Sequence, residues 1–468
     1  MSGLFGIISQ KPCASELYYG TDYHSHLGTR RAGLSTIDNG VMHLNIHNIE
    51  NTQFKTKFAN DVHEMLGNKG IGVISDTDAQ PIVCNSHLGR FAVCTVSRIN
   101  NVSELEKICL DKNQQFTELS MGRTNPTELV ALLVTQGKTF TDGIANVYEK
   151  VRGSVSFLIL TNDGIIAARD RYGRTPLVVG RRDKDYVVAS ETNSYVNLGY
   201  RTEYFIKPGE AVHISHDGIH RLIEPSDKMQ ICSFLWIYYG FPAVEYEDIN
   251  AEEVRYRLGE AMGKSDDIEA DYVSGIPDSG VGMALGYAVG KGIPYKRGIL
   301  KYTPTWSRSF MPVDQESRSL VAKMKLIPSH KVLEGKDVVF CDYSIVRGTQ
   351  LRDQVRMLYA NGVKHIHVRI SCPPLLYGCN YLNFSTSKTD NELITRRVIA
   401  ELEGGEVRNL EAYRDETSKQ YANLVETIRK TVGVDTLKFN SLATVCDAIG
   451  LPKERLCTHC FDGSSYGE

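Results

Sequence analysis

The stretch Val338-Val339-Phe340-Cys341-Asp342-Tyr343-Ser344-Ile345-Val346-Arg347-Gly348-Thr349-Gln350 predicts a buried strand, a polar turn and the start of a helix. A strand–loop–helix step points backbone N–H groups and a helix N-terminus at an anion, so it can cradle a phosphate. Asp342, at the end of the apolar run, can bind a ribose hydroxyl or a metal ion carried on the phosphates. An ordinary strand–helix turn is the alternative. The residues of this turn that suit a phosphate are Ser344, Arg347, Gly348 and Thr349.

Length and composition indicate an ordinary globular protein of two or three domains, since 468 residues are too many for one core. A net charge of −3 gives no reason to expect a nucleic-acid or anionic-membrane partner. We see no signal-peptide pattern at the start and no apolar run long enough to span a bilayer, so we expect a cytoplasmic protein. Its eleven cysteines are then expected to be buried or metal-bound rather than paired in disulfides.

The pattern of apolar runs changes near residue 229, which predicts one domain over residues 1–228 and a second over 229–468. In the first, short apolar runs bounded by Gly, Asp and Asn are typical of stacked antiparallel sheets. In the second, strands alternate with helices, which favours a parallel α/β sheet. The strands predicted in the first part are 4–8, 70–74, 90–96, 154–161, 165–169, 177–179, 186–189 and 211–214, with helices at 127–135 and 141–151. Those predicted in the second are 272–276, 338–340 and 365–370, with helices at 280–291 and 351–361.

A second candidate anion site follows the strand at 272–276, where Asp278 and Ser279 precede the next predicted helix. Between the two turns lies a basic and aromatic segment, residues 301–325. It is either an ordinary solvated loop or a lid that closes over a polyphosphate.

Several of these segments resemble known motifs. The run Asp342 to Thr349 resembles the loop of type I phosphoribosyltransferases that binds phosphoribosyl pyrophosphate (PRPP). Ile276-Pro277-Asp278-Ser279 and Lys301 to Pro312 resemble the pyrophosphate loop and mobile flap of glutamine amidophosphoribosyltransferases. The N-terminal half is similar to the Ntn-hydrolase glutaminase domain of that family, in matching order. The segments that carry this similarity are Gly3-Leu4-Phe5-Gly6-Ile7, Ala79-Gln80-Pro81, Ala167-Ala168-Arg169-Asp170 and Ala189-Ser190-Glu191-Thr192.

The resemblance implies an N-terminal αββα sandwich followed by a type I phosphoribosyltransferase α/β domain. It implies an enzyme of purine biosynthesis that makes 5-phosphoribosylamine from PRPP and releases pyrophosphate. It also implies Mg²⁺, purine nucleotides as ligands, and a homo-oligomer, either a tetramer or a dimer. Carried over by position, the PRPP-binding residues are Asp278, Ser279, Lys301, Arg308, Arg318, Lys325, Asp342, Tyr343, Ser344, Arg347, Gly348 and Thr349, of which Ser279, Asp342 and Tyr343 are the magnesium positions.

The glutaminase half departs from the family at four places, and we therefore expect it to be inactive. The family's catalytic N-terminal cysteine corresponds to Ser2, a weaker nucleophile. Its carboxylate-binding arginine falls in the shortened stretch 74–78, and its His-Asn-Gly oxyanion segment aligns with Thr95-Val96-Ser97. The aspartate that binds the amine of glutamine falls at or beside Pro126. Loss of one oxyanion donor alone typically lowers the rate by ~10²–10³.

The phosphoribosyl half departs at one important position. The family has two adjacent acidic residues where this chain has Asp342 and Tyr343, and a phenol is neutral near pH 7. We therefore expect weaker binding of PRPP with Mg²⁺.

Four cysteines match the iron–sulfur ligands of one branch of the family, which implies a [4Fe–4S] cluster. A lone C-x-x-C pair would also suit zinc. The matching positions are Cys232, Cys379, Cys457 and Cys460, with Cys372 as a substitute for the second.

Three hypotheses follow for the whole chain. It is a phosphoribosyltransferase that takes free ammonia or an amine delivered by a partner, a non-catalytic PRPP or nucleotide sensor of the purine pathway, or a glutamine-dependent enzyme with unusual residues. We favour the first.

Overall fold

The structure, a computed structural model, describes residues 2–120, 122–302, 325–383 and 390–465. Within these ranges the N-terminal half forms two large antiparallel sheets and a short hairpin whose two strands have two residues each. Its strands are β1 (Gly3–Ile8), β2 (Arg31–Asp38), β3 (Val41–Asn48), β4 (Lys69–Ser75), β5 (Ile82–Ser86), β6 (Gly89–Ile99), β7 (Leu119–Ser120), β8 (Arg123–Thr124), β9 (Gly153–Leu160), β10 (Ile165–Ala168), β11 (Val178–Arg182), β12 (Asp185–Ala189), β13 (Arg201–Phe205), β14 (Ala211–Ser215) and β15 (Gly218–Ile223). Its helices are α1 (Ala14–Asp22), α2 (Phe54–Phe58), α3 (Asp61–Glu64), α4 (Val102–Asp111), α5 (Pro126–Val134), α6 (Phe140–Lys150) and α7 (Asn193–Val196).

The two large sheets lie face to face. One has the order β13-β11-β12-β1-β4-β2-β3 and the other the order β15-β14-β10-β9-β6-β5. Their facing sides share one apolar core that includes Leu4 and Val73 from the first sheet and Leu158 from the second. Separate cores on the outer sides contain Leu17 of α1 and Leu129 of α5. The layers are therefore helix, sheet, sheet and helix, as the sequence analysis predicted.

The C-terminal half contains a parallel sheet of order β19-β22-β23-β24. A one-turn π-helix, Leu235–Tyr239, follows the first strand of this half, and 3-10 turns occur at Asp390–Glu392, Leu410–Tyr413 and Lys453–Arg455. The strands are β16 (Ile231–Cys232), β17 (Glu245–Tyr246), β18 (Ile249–Asn250), β19 (Tyr272–Gly275), β20 (Ile299–Lys301), β21 (Leu326–Pro328), β22 (Asp337–Asp342), β23 (His365–Ile370), β24 (Thr436–Phe439) and β25 (Leu456–Cys457). The helices are α8 (Ala251–Ser265), α9 (Val281–Lys291), α10 (His330–Leu333), α11 (Thr349–Ala360), α12 (Ile394–Leu402), α13 (Lys419–Val432), α14 (Leu442–Ile449) and α15 (His459–Asp462).

Glycines allow α8 and α9 to pack backbone against backbone. A Cβ atom at Gly259 would lie 1.9 Å from the carbonyl oxygen of Met283, and one at Gly286 would lie 2.0 Å from that of Tyr256. No larger residue fits at either position unless the helices separate. This close packing fixes α9 against α8, and the loop that precedes α9 carries Ser279.

The two halves are joined by polar contacts as well as by the chain itself. Arg169, fully buried in the N-terminal half, forms a 2.7 Å ion pair with Glu247. Arg98 at the end of β6 donates to the carbonyl oxygen of Leu382 at 3.3 Å, and Asn100 donates to that of Asn380 at 3.0 Å. In the part of the chain that the structure describes, every helix is too short or too polar to cross a membrane.

Candidate active sites

The loop after β22 has the geometry of a phosphate cradle. Gly348 has φ +75°, a left-handed conformation that glycine adopts without strain, and α11 begins at the next residue, Thr349. The backbone N–H groups of the first turn of α11 therefore face the loop. The Ser344 side chain is 8% exposed, and its buried Oγ atom has no hydrogen-bond partner among the residues that the structure describes. A buried hydroxyl without a partner is unfavourable, so Oγ is available to a bound anion.

The second loop approaches the first because of a glycine. A Cβ atom at Gly280 would lie 2.0 Å from the carbonyl oxygen of Cys341, so only glycine permits this approach. It brings the Ser279 hydroxyl within 3.5 Å of Asp342 Oδ1, which also accepts a 2.8 Å hydrogen bond from the N–H of Tyr343. Burial raises the pKa of Asp342 to about 7, although both hydrogen bonds act to lower it. The carboxylate is therefore held in a poorly hydrated place beside the phosphate loop.

Two of the predicted pyrophosphate contacts lie at the base of the basic segment. Lys301 forms a 2.5 Å ion pair with Asp278, which is exposed. Lys325 lies beside Tyr302, whose N–H donates to the Lys325 carbonyl oxygen at 2.8 Å. The antiparallel pairing of β20 with β21 brings these two ends together. The other two predicted contacts, Arg308 and Arg318, fall outside the described residues.

Arg347 is engaged by its own chain. Its guanidinium forms a close ion pair with Glu392, and its carbonyl oxygen accepts a 2.5 Å hydrogen bond from Arg397. Both contacts hold the loop against the helix α12 and the turn before it. To bind a phosphate, the Arg347 guanidinium would have to leave Glu392 and pair with the ligand instead.

Tyr343, predicted as a magnesium position, has a different environment from Asp342. Its ring lies parallel to that of Tyr238, with centroids 3.8 Å apart and planes 15° apart. Burial raises the pKa of the Tyr343 phenol well above its usual value, so it is neutral. Sequence reasoning missed Tyr238, which no motif marks and which only tertiary folding brings to the loop.

In the N-terminal half, the predicted nucleophile Ser2 is buried and hydrogen-bonded. Its hydroxyl donates to Ser75 Oγ at 3.1 Å, and Ser75 in turn contacts Thr77 Oγ1 at 3.2 Å. The Thr77 hydroxyl makes a close hydrogen bond to Asp78. The stretch in which the resemblance places a substrate-binding arginine thus holds short polar side chains bonded to one another.

The same network continues to the other two positions at which the resemblance places glutaminase residues. Thr127 donates to Asp78 Oδ2 at 2.5 Å and lies 2.7 Å from Thr95 Oγ1. The Thr95 backbone N–H donates to Gln80 Oε1 at 2.7 Å. Burial raises the pKa of Asp78, which is 1% exposed, while the donors Thr127 and Thr77 lower it. We call the connected side chains of Ser2, Ser75, Thr77, Asp78, Thr95 and Thr127 the hydroxyl network.

The four predicted cluster ligands come from distant segments and meet at the junction of the two halves. Cys232 on β16 pairs directly with Cys457 on β25. Burial raises the pKa of the Cys460 thiol well above its usual value, and the nearby thiols of Cys232, Cys379 and Cys457 raise it further. Four thiolates suit an iron–sulfur cluster chemically. Among the described residues, however, no three His, Cys, Asp or Glu side chains are arranged so that they could already hold a metal ion.

Backbone N–H groups point at these sulfur atoms. Those of Phe234 and Leu235 donate to Cys232, and the N–H of Leu382 donates to Cys379 Sγ at 3.3 Å. Such bonds stabilise thiolate ligands and tune clusters where they occur.

Comparisons with known proteins agree with both halves. Residues 69–197 match the glutamine amidotransferase domain family. The chain is 32% identical over 493 aligned residues to the amidophosphoribosyltransferase of Methanocaldococcus jannaschii, covering 99% of this chain and 97% of that one. The Bacillus subtilis enzyme of the same name is 30% identical, with coverage of 98% and 93%.

Solved structures show the same likeness over the whole fold. Glutamine PRPP amidotransferase from B. subtilis, complexed with ADP and GMP, superposes with a TM-score of 0.84 and 30% identity, covering 99% of this chain and 96% of that one. Identity at this level over nearly the full length of both proteins establishes common ancestry and fold. The chain belongs to the amidophosphoribosyltransferase family.

Proposed function

We propose that this protein forms 5-phosphoribosylamine from PRPP, with release of pyrophosphate. Its nitrogen comes from free ammonia, or from an amine delivered by a partner, and not from glutamine hydrolysed in its own N-terminal half. Membership of the amidophosphoribosyltransferase family supports the reaction. The observation that carries the choice of nitrogen source is the hydroxyl network at the expected glutaminase site.

The network supports an inactive glutaminase for two reasons. A serine hydroxyl needs a base to become nucleophilic, and the Ser2 hydroxyl donates to Ser75 instead. Glutamine binding would also require a cation for its carboxylate, whereas the stretch around Asp76 and Asp78 is acidic. Asp76 is already bonded to the N–H and the hydroxyl of Thr29, at 2.7 and 2.9 Å.

In the C-terminal half, the loop after β22 suits the 5′-phosphate, which would accept hydrogen bonds from Ser344 Oγ and from the N–H groups at the start of α11. Asp342 and Ser279 are the residues that would hold Mg²⁺ together with the ribose and pyrophosphate oxygens. When bound, Mg²⁺ neutralises charge on the pyrophosphate leaving group. Lys301 and Lys325, together with Arg308 and Arg318, would add positive charge beside it.

A second candidate function is a non-catalytic PRPP or purine-nucleotide sensor. The feature that favours it is Tyr343, a neutral residue whose ring stacks on Tyr238, which leaves Asp342 as the one carboxylate of the pair. One carboxylate supports ligand binding but holds the metal less tightly than two. The related B. subtilis structure contains ADP and GMP, so purine nucleotides are the ligands to test.

Pyrophosphate release separates these functions. Purified protein is incubated with PRPP and Mg²⁺, plus either ammonium or glutamine, and Asp342→Asn serves as the inactive control. We expect release with ammonium only. Release driven by glutamine would refute the inactive glutaminase. If neither nitrogen source causes pyrophosphate release, and calorimetry shows that PRPP or a nucleotide binds, the protein is a sensor.

We also propose that Cys232, Cys379, Cys457 and Cys460 hold a [4Fe–4S] cluster with a structural role. Their common location at the junction and the N–H groups aimed at two of the sulfur atoms support this. Protein prepared anaerobically should be brown and contain about four irons per chain. Cys460→Ser should lower the iron content, whereas Cys446→Ser, a half-buried cysteine outside this set, should not. Zinc in place of iron and sulfide would refute the cluster.

Three further properties complete the proposal. The domain boundary lies near residue 228, so limited proteolysis should release fragments that divide there. The protein forms a homo-oligomer, a dimer or tetramer by light scattering. It acts in the cytoplasm, which agrees with eleven free cysteines.

A further inference from the structure

The phosphate loop has an aromatic attachment outside the ligand site. Tyr343 lies between Asp342 and Ser344 in the sequence, and its ring stacks on Tyr238 with a centroid distance of 3.8 Å. The two residues on either side of Tyr343 are those with the strongest case for contacting the ligand. A change in the backbone position of Tyr343 therefore moves both of them.

Tyr238 is itself held by its surroundings. It belongs to the π-helix Leu235–Tyr239, which follows β16 after two intervening residues at the junction of the two halves. Its ring packs against those of Phe234 and Tyr239, with ring centroids 6.5 Å and 5.1 Å away. Phe234 also packs against Phe461 near the C-terminus, at 5.9 Å. The platform under Tyr343 is thus built from segments that lie outside the phosphate loop.

Tyr238 has no role in the ligand site described above. It is 38% exposed, and the groups that would meet the phosphate, ribose and metal are Ser344, Asp342 and Ser279. A parallel aromatic pair is also directional, since it fixes the angle and offset of the second ring as well as its distance. A stack of this kind is suited to orient a loop.

We infer that Tyr238 is a positioning residue for the phosphate loop. By stacking on Tyr343, it holds Asp342 and Ser344 in the arrangement that receives the ligand, and it makes that arrangement depend on the junction between the halves. The identity of the ligand as PRPP rests on the proposed function, whereas the effect of the stack on the loop does not.

Hydrogen exchange of the ligand-free, full-length protein tests the stack directly. In Tyr238→Leu, amide exchange in the peptide that covers residues 342–349 should become about 2- to 12-fold faster, the range that corresponds to loss of one aromatic pair. Tyr238→Phe, which keeps the ring, should stay nearer to the wild type. Tyr343→Leu should accelerate exchange similarly, and the double variant should be no faster than either single variant.

Ligand binding provides the second measurement. In Tyr238→Leu, the KM or Kd for PRPP with Mg²⁺ should rise by the same factor, while kcat at saturating PRPP stays within about twofold. Tyr343→Asp and Tyr343→Ala both lose the stack, so tighter binding by Tyr343→Asp than by Tyr343→Ala isolates the effect of the restored carboxylate.

The outcomes distinguish this inference from the proposed function. Loop exchange at the wild-type rate in both Tyr238→Leu and Tyr343→Leu would overturn the positioning role. If Tyr238→Leu does not fold, Tyr343→Leu alone decides by the same criterion. A wild-type protein that binds no PRPP would overturn the proposed function, while the exchange data would still decide the role of Tyr238.

Discussion

The pH dependence of PRPP binding tests the environment of Asp342. Burial raises the pKa of this carboxyl group to about 7, so its proton competes with a bound cation in the neutral range. A group with this pKa is about 9% ionised at pH 6 and about 91% ionised at pH 8. Affinity for PRPP with Mg²⁺ should therefore rise about tenfold between these values, about 5-fold from pH 6 to 7 and about 2-fold from pH 7 to 8.

Calorimetry at constant ionic strength and saturating Mg²⁺ measures how steeply the affinity for PRPP changes with pH. Phosphate groups of the ligand also titrate near pH 6, but they contribute equally to every variant. Asp342→Asn should bind PRPP more weakly, and its affinity should keep only the pH dependence that comes from the phosphates of the ligand. Asp278→Asn is the matched control, since it removes an exposed carboxylate from the neighbouring loop and should retain the wild-type slope through pH 7. Equal slopes in wild type and Asp342→Asn would show that this carboxyl group does not control cation binding.

Three further outcomes follow from the described contacts. Ser2→Cys should not restore glutaminase activity, because the hydroxyl network remains around the new thiol; glutamate release above a no-enzyme blank would contradict this. Thr127→Val should lower the free energy of unfolding by ~1–3 kcal/mol, because Asp78 loses a buried donor, and urea denaturation measures it. Gly286→Ala should lower the free energy of unfolding by ~1–3 kcal/mol, because the added methyl group overpacks α8 on α9. Val289→Ala is the control: this residue lies on the same helix and is 74% exposed, so its substitution should change the free energy of unfolding by at most ~0.5 kcal/mol.

Elements with strong apolar runs were predictable from the sequence. The strand at 365–370 has the predicted bounds, and β22 extends the predicted run by one residue at its start and two at its end. The hairpin of β2 and β3 was missed, although Asn39-Gly40 is a strong hairpin signal. Both residues have positive φ, +46° and +81°, as a tight turn between antiparallel strands requires. Polar residues at every second position from His43 interrupt the apolar run of β3, which lies at the sheet edge and is only partly buried.

The phosphate loop could be found from the sequence because its chemistry is local. The residues that suit a phosphate fall on one turn, and a strand before them with a helix after them is enough to orient that turn. The partners Tyr238 and Glu392 could not be found in this way, since they lie far away in the sequence and reach the loop only through tertiary packing. Sequence reasoning predicted what the loop can bind, and the structure adds what holds the loop in place.

The strand that passes through the expected glutaminase site also joins the two halves of the chain. Strand β6 carries Thr95 of the hydroxyl network, and three residues further it carries Arg98, which contacts Leu382 in the other half. The carbonyl oxygen of Ser97, between them, accepts a 3.0 Å hydrogen bond from Asn383. The strand at the expected oxyanion position thus also supports the segment that follows Cys379. Loss of this strand would leave polar groups in both halves without partners, so β6 has a structural role that does not depend on glutamine hydrolysis.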